Sequence, residues 1–228
     1  MKKSLLLVFC LLIACSSAKK NIGRDEYAPE NDVISNYILF EYINLLTEDD
    51  YYPLLDSVKN GLSNDFFTLR MAYTKTEIYD PYDVEFDDLR KKIKSNIEEK
   101  NFGKALEFAN KILERRYIDI KTHLYCSYIY EQQGDSAESK YHYDIYNGLM
   151  NSIYFSGDGV VPQTAFIVME VSEEYDLLNW LKLKLREQSL IVRDGYSFDI
   201  MKVFNENRET ELFFNIDLAL KHLSEEFD

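Results

Sequence analysis

The sequence predicts an α+β fold in which a helical lobe precedes a sheet lobe and a terminal helix. Apolar residues recur at helical spacing up to about residue 155. Two segments within that region match each other at an offset of 34 residues, and short strand-like runs follow a turn-rich break, "SGDGVVPQ". We therefore expect a helical lobe over residues 30–155 and an α+β lobe with an antiparallel sheet over residues 156–228.

The first residues form a pattern typical of export. Lys2 and Lys3 precede an apolar run over residues 5–15, which is shorter than the roughly 20 residues of a spanning helix. The run ends in "LIAC", which resembles the lipobox of bacterial lipoproteins. That resemblance implies a signal peptide over residues 1–14, acylation of Cys15 and a flexible lipidated tether over residues 15–29. The alternative is an ordinary secretory signal with a chance cysteine.

Charge and cysteine content limit the partners and the chemistry. A net charge of −14 argues against a nucleic-acid partner. Ser16 follows the lipobox where an aspartate would retain a lipoprotein in the inner membrane of enteric bacteria, so we expect the outer membrane of a bacterial cell envelope. After processing, Cys126 is the single free thiol, and its apolar helical surroundings predict a buried structural role.

The helical lobe is predicted to begin with helices over residues 31–46, 53–60 and 64–76, followed by a turn at Asp80-Pro81. The 34-residue match then aligns Ala105 with Ser139 and Ala109 with Tyr143. This period resembles tetratricopeptide repeats, with helix hairpins over residues 86–119 and 120–153. By helical spacing we expect most tyrosines of the second hairpin to be core residues, namely Tyr125, Tyr128, Tyr130, Tyr141, Tyr143 and Tyr146.

The repeat resemblance also implies a binding surface. In tetratricopeptide proteins the first helix of each repeat lines a groove that binds extended peptides. By register, the groove residues here would include Arg90, Lys94, Tyr128, Glu131 and Gln132, with Ile97, Glu98, Lys121 and Leu124 beside them. Contact of this face with the C-terminal lobe is an equally open alternative.

The C-terminal lobe is predicted from short runs of β-forming residues. Residues 164–171 predict a central strand, and residues 196–204 and 211–217 predict two more. Residues 181–186 fit either a half-buried strand or the end of a helix that begins near Glu173. Asp217 is expected to cap the last helix.

Several ordered motifs together resemble a known family. They are "YDPY" at residues 79–82, the repeat-like hairpins, "SGDG", "TAFIVMEVSEEYDLL", "QSL" and "LFFNID". In this order they resemble a family of bacterial envelope proteins known as domain of unknown function 4919, over residues 52–227. The resemblance implies a bacterial exported protein and supplies no activity, substrate or cofactor.

No residue pattern predicts an enzyme or a cofactor site. His123, His142 and His222 lie on separate predicted helices without metal-ligand spacing, and His123 is expected in the core. Gly157-Asp158-Gly159 predicts a tight turn, because it lacks the lysine of a phosphate-binding loop. One alternative site combines residues on either side of the predicted strand: Asp158, Thr164, Glu173 and Tyr175.

We therefore expect a non-enzymatic envelope lipoprotein that binds a protein or peptide through its helical lobe and the membrane through Cys15. The alternative is an envelope hydrolase or small-ligand-binding protein with its site between the two lobes.

Overall fold

The computed structural model describes residues 36–205 and 208–225, which form helices first and a sheet afterwards. The helical part contains α1 (Asn36–Leu45), α2 (Glu48–Lys59), α3 (Phe66–Tyr73), α4 (Val84–Glu98), α5 (Phe102–Arg115), α6 (Ile120–Gln133) and α7 (Ser136–Tyr154). After it come β1 (Phe166–Ile167), α8 (Val171–Trp180), β2 (Lys184–Arg193), β3 (Tyr196–Asn205), β4 (Arg208–Asn215) and α9 (Asp217–Glu225). The predicted α+β class is confirmed. The predicted signal peptide and tether, including Cys15, lie outside the described residues.

Aspartate residues begin four of the helices. The side chains of Asp65, Asp83, Asp119 and Asp135 accept hydrogen bonds from backbone N–H groups in the first turns of α3, α4, α6 and α7. Gly134 ends α6 with a φ of 79°, a left-handed conformation that favours glycine. The short links that follow α4 and α6 fold α4 with α5, and α6 with α7, into two helix hairpins.

The second helices of the two hairpins begin at Phe102 and Ser136, as the 34-residue match predicts. The buried stripe of α5 consists of Ala105, Ala109 and Ile112. In α7 the buried stripe includes instead His142, Ile145 and Leu149. The alignment of Ala109 with Tyr143 was therefore wrong by one residue, because the buried position in α7 is His142. A shift of one position along a helix turns a side chain by about 100° around the helix axis.

The tyrosines of the second hairpin lie at its surface and rim. Tyr128 and Tyr143 are exposed, and Tyr125, Tyr130, Tyr141 and Tyr146 are half-buried. The expectation that most of them form the core was wrong. A tyrosine at the rim can bury part of its ring while its hydroxyl reaches water. The buried apolar residues of these two helices include instead Cys126, Ile129 and Ile145.

A histidine pair occupies the interface between α6 and α7. His123 is completely buried, as expected, but it contacts His142, with 2.9 Å between the two Nδ1 atoms. Nε2 of His123 lies 2.6 Å from the carbonyl oxygen of Tyr117, so that nitrogen donates and His123 Nδ1 accepts the proton of His142 Nδ1. Burial and the neighbouring ring lower the pKa of His123 to about 3, and burial lowers the pKa of His142 to about 4. Both rings are neutral at neutral pH.

The sheet has the strand order β1-β4-β3-β2. β2, β3 and β4 pair antiparallel, whereas β1 pairs parallel with β4. The sheet is therefore mixed rather than antiparallel throughout. The predicted strand over residues 164–171 shrinks to the edge strand β1, because residues 162–164 form a 3-10 turn and α8 begins at Val171.

The last helix begins at Asp217 itself, which was predicted to lie just before the helix as its cap. Asp217 is the first residue of α9, and its side chain accepts a hydrogen bond from the backbone N–H of Ser197 in β3. Asp217 thus ties the helix to the sheet. The described residues all belong to one compact unit that spans Ile34–Asp228. Within residues 36–205 and 208–225, no helix is both long and apolar enough to span a bilayer.

Replacing His142 by Gln should reduce the loss of stability that acid causes. Unfolded histidine titrates near pH 6.5, and because both folded pKa values lie lower, the unfolded chain binds more protons below that pH. The free energy of unfolding therefore falls as the pH falls. His142→Gln should reduce this fall by at most about 2 kcal/mol between about pH 6.5 and pH 5. Urea unfolding at several pH values measures the free energy of unfolding. An equal fall in the parent protein and in His142→Gln would contradict a neutral histidine pair.

Candidate functional site

Two distant segments of the chain meet beside α4. The loop that contains Tyr79-Asp80-Pro81-Tyr82 precedes α4, and residues 169–172 precede and begin α8. The buried Tyr79 hydroxyl donates a hydrogen bond of 2.6 Å to the carbonyl oxygen of Met169. Asp80 accepts a hydrogen bond from the backbone N–H of Tyr82, which shapes the turn before α4. Both segments carry motifs by which the sequence resembles a family.

A cleft of about 310 Å³ opens at this junction. Its walls come from the two segments and the first turns of α4, and the lining residues are Pro81, Tyr82, Asp83, Val84, Asp87, Arg90, Glu170, Val171 and Ser172. Carboxylates outnumber guanidinium groups among them. The volume lies at the lower end of the range for small-molecule sites, so the cleft can hold one side chain or a small polar molecule.

Ion pairs hold three of the lining residues in place, namely Asp87, Arg90 and Glu170. Arg90 contacts Asp119 at 2.5 Å and Asp87 at 2.7 Å, and Arg116 pairs with Glu170. Burial alone would raise the pKa of Asp119, but Arg90 and Arg116 hold it below its usual range. Burial alone would lower the pKa of Arg116, but Glu170 and Asp119 raise it. Asp119 and Arg116 therefore stay charged, and the ion pairs connect α4, α6 and the start of α8.

A second ion pair lies deeper, between Arg70 of α3 and Glu173 of α8. Arg70 Nη2 and Glu173 Oε2 are 2.6 Å apart, and both side chains are almost completely buried. Arg70 also donates to the hydroxyl of Ser152 and to the carbonyl oxygen of Ile167. Burial raises the pKa of Glu173, although Arg70 opposes the rise. The pair has a structural role, since its hydrogen-bonding groups are used within the fold.

The adjacent Glu174 points to another partner, Asp199 of β3, as expected for consecutive helix residues. Both residues are buried. Burial and the neighbouring carboxylate raise the pKa of Glu174 to about 9. Two ionised carboxylates cannot hydrogen bond, and neither oxygen of Glu174 has a partner in that state. A proton on Glu174 makes it a donor to Asp199, and Glu174 keeps that proton at neutral pH.

The four residues of the alternative site lie in three different hydrogen-bond networks. Asp158 accepts a hydrogen bond of 2.5 Å from the Thr164 hydroxyl within the turn before β1. Glu173 contacts Arg70 in the core, and Tyr175 donates to Gln188 of β2 at the surface. Among the predicted four, the structure brings together only Asp158 and Thr164. Gly157 fits this turn because a Cβ there would lie 2.3 Å from the carbonyl oxygen of Thr164.

The predicted groove residues lie on α4 and α6. Lys94, Tyr128, Glu131 and Gln132 are exposed, whereas Arg90 is largely buried in its ion pairs at the cleft. Lys121, beside them on α6, pairs with Asp176 of α8 at 3.2 Å. The N-terminal end of the predicted groove thus adjoins the C-terminal part of the chain, while its other end is open to solvent.

The sequence did not reveal the cleft or its ion pairs. Arg70 carried a usable signal, because one arginine inside the apolar helix "FFTLRMAY" needs a buried partner. Within residues 36–205 and 208–225, no three His, Cys, Asp or Glu side chains are grouped so that they could hold a metal ion. Cys126 is buried, as expected, and burial raises the pKa of its thiol to about 12.

Glu174→Gln should stabilise the protein, and more so as the pH rises. An unfolded glutamate loses its proton near pH 4.5, whereas folded Glu174 keeps it until about pH 9. Between these values the folded chain binds the extra proton, so the free energy of unfolding falls as the pH rises. Glutamine keeps a donor for Asp199 and removes the titration. Urea unfolding at about pH 5, 7 and 8 should show a growing advantage, and Glu41→Gln, which removes an exposed carboxyl, serves as the control. An advantage that stays constant with pH would contradict the proton on Glu174.

A model of one protein family covers most of the chain. The family is described as "Domain of unknown function (DUF4919)", and the matched residues are 44–225. Both segments that form the cleft fall within the match. No curated protein and no solved structure matches the chain significantly. The chain belongs to the DUF4919 family.

Proposed function

We propose that this chain is a non-enzymatic lipoprotein of the bacterial cell envelope that binds a protein or peptide through the exposed face of α4 and α6. The sequence "LLIAC" after an apolar run supports acylation at Cys15, and Ser16 supports the outer membrane. Two acyl chains on that cysteine would hold the protein stably on a bilayer. The domain would then face its partner from the end of a short tether.

The exposed apolar side chains on α6 carry the binding proposal. Leu124 and Tyr128 lie one helical turn apart and expose 39% and 44% of their surfaces. The opposite face of α6 is already occupied, since Cys126 and Ile129 pack in the core that the two hairpins share. Two large apolar side chains at adjacent turns of one exposed face support the proposal that a partner covers this surface.

Polar residues surround this apolar pair. Glu131 and Gln132 continue the exposed face of α6, and Lys94 is exposed on α4. The two hairpins resemble tetratricopeptide repeats in their 34-residue period, and the first helices of such repeats bind extended peptides. An apolar centre with a polar rim is also the usual composition of a protein interface. This face therefore favours an extended peptide segment as its partner. One apolar side chain of that segment would pack against Leu124 and Tyr128.

The candidate nucleophiles and bases are engaged within the fold, which supports a non-enzymatic role. Cys126 is buried, His123 and His142 bond to each other, and Glu173 is held by Arg70. Each group would need to break a buried contact before it could meet a substrate.

A second candidate function is small-ligand binding in the cleft beside α4. Its volume of about 310 Å³ and its mixed polar and apolar walls favour this alternative. A ligand screen that follows thermal unfolding of the full chain tests it. A stabilising compound that loses its effect in Tyr82→Ala would support the cleft.

Changing Tyr128 and Lys94 together to Ala should remove partner binding while the domain stays folded. Both side chains are exposed, so their truncation costs little stability, whereas a central aromatic side chain can carry about 2 kcal/mol or more of binding energy. Crosslinking in intact envelopes followed by mass spectrometry identifies the partner, and the same experiment on the variant measures the loss.

A matched control changes an exposed tyrosine and an exposed lysine elsewhere, Tyr52→Ala with Lys140→Ala. These changes should leave crosslinking intact. Equal crosslinking in all three proteins would exclude the α4 and α6 face. A Cys15→Ala form tests the anchor separately, because it should lose membrane attachment but still bind the partner when both are purified.

A further inference from the structure

The sheet ends in a long strand that is open along one side. β2 is the last strand in the order β1-β4-β3-β2, and within the described part of the chain it pairs only with β3. Most of its ten residues are exposed, and Leu190 and Val192 expose 57% and 70% of their surfaces. Open edges with apolar side chains pair readily with further strands, so proteins usually shorten or cover them.

The two faces of β2 differ in character. Leu190 lies opposite the buried Asp199, and Val192 lies opposite Ser197, on the face that α8 covers through the Tyr175–Gln188 hydrogen bond. The other face carries Glu187, Ser189, Ile191 and Arg193. A strand that pairs with β2 would therefore need apolar groups on one face and charges that complement Glu187 and Arg193 on the other.

The turn after β2 determines which backbone groups point outwards. Arg193 pairs with Tyr196 across the two-residue turn Asp194-Gly195, whose φ values are 53° and 81°. In such a turn the flanking residues hydrogen bond to each other, so the backbone groups of Arg193, and of alternate residues before it, face β3. The N–H and C=O groups of Gln188, Leu190 and Val192 therefore face outwards.

We propose that β2 pairs antiparallel with β2 of a second copy of this chain, centred on Leu190. This register places Leu190 opposite Leu190 and Gln188 opposite Val192 of the partner subunit, so that all the outward-facing groups hydrogen bond in pairs. Apolar side chains then meet on the face that Tyr175 borders. The two four-stranded sheets become one continuous sheet with two-fold symmetry.

Charge complementarity favours a second copy as the occupant. In the register centred on Leu190, Glu187 of each copy lies opposite Arg193 of the other, and the two-fold axis repeats this pair. Opposite charges that face each other across strands stabilise the pairing, whereas like charges destabilise it. A single strand contact buries less surface than a stable soluble dimer usually needs, so we expect a weak dimer that anchoring on one membrane would strengthen.

Charge-reversal variants test this register. The full chain carrying Cys15→Ala, in mild detergent, is followed by sedimentation velocity between about 10 µM and about 1 mM. The parent should show a monomer–dimer equilibrium. Glu187→Arg alone and Arg193→Glu alone each put like charges opposite each other twice, and each should weaken self-association about tenfold. An equimolar mixture of the two variants should associate at least as well as the parent, because every facing pair is again of opposite charge.

Leu190→Pro supplies an independent test that preserves the fold. Its missing N–H faces outwards, and edge strands tolerate proline at such positions. This variant should keep the parent's circular dichroism spectrum and melting temperature but remain a monomer. A parent that is monomeric throughout the concentration range would overturn the proposal. So would a dimer that persists in Leu190→Pro, or a mixture of the charge variants that associates no better than either alone.

Discussion

The fold depends on one buried ion pair, Arg70 with Glu173. Arg70 lies in α3 with no exposed surface, and its guanidinium contacts Ser152 of α7, the Ile167 carbonyl of β1 and Glu173 of α8. Glu173 also accepts a hydrogen bond from the backbone N–H of Met169. A buried charge is tolerated only when it is paired and fully hydrogen-bonded. The arrangement therefore fixes four elements relative to one another: the helices α3 and α7 of the helical part, the strand β1 and the helix α8.

The outer ion pairs extend this arrangement towards the surface. Arg116 with Glu170 and Arg90 with Asp119 lie between the first hairpin, α6 and the start of α8, and one residue of each pair, Glu170 and Arg90, lines the cleft. The two surfaces that we propose for partners, the outer face of α4 and α6 and the open edge of β2, lie outside this junction. The proposed peptide face and the proposed pairing edge belong to different elements, so the chain could use both together.

Local signals predicted much of the fold, and tertiary contacts account for what they missed. Helical spacing and the 34-residue match predicted the two hairpins, and the apolar helical surroundings of Cys126 predicted that its thiol is buried. The predicted register of α7, which placed Tyr143 in the core, was wrong because His142 fills the interface with α6. The predicted strand over residues 164–171 was too long, since only Phe166 and Ile167 pair with β4. A short buried apolar run resembles a central strand whether or not all its residues pair. The cleft joins segments about 90 residues apart, which no local pattern can reveal.

A double-mutant cycle on Arg70 and Glu173 tests the role of the buried pair most directly. Arg70→Met and Glu173→Met each leave one buried charge unpaired, so each should lower the free energy of unfolding by about 3–5 kcal/mol in urea denaturation. The double variant removes both charges and should be no less stable than either single variant. Costs that simply add would show that the two side chains act independently and would contradict the dependence of the fold on their pairing.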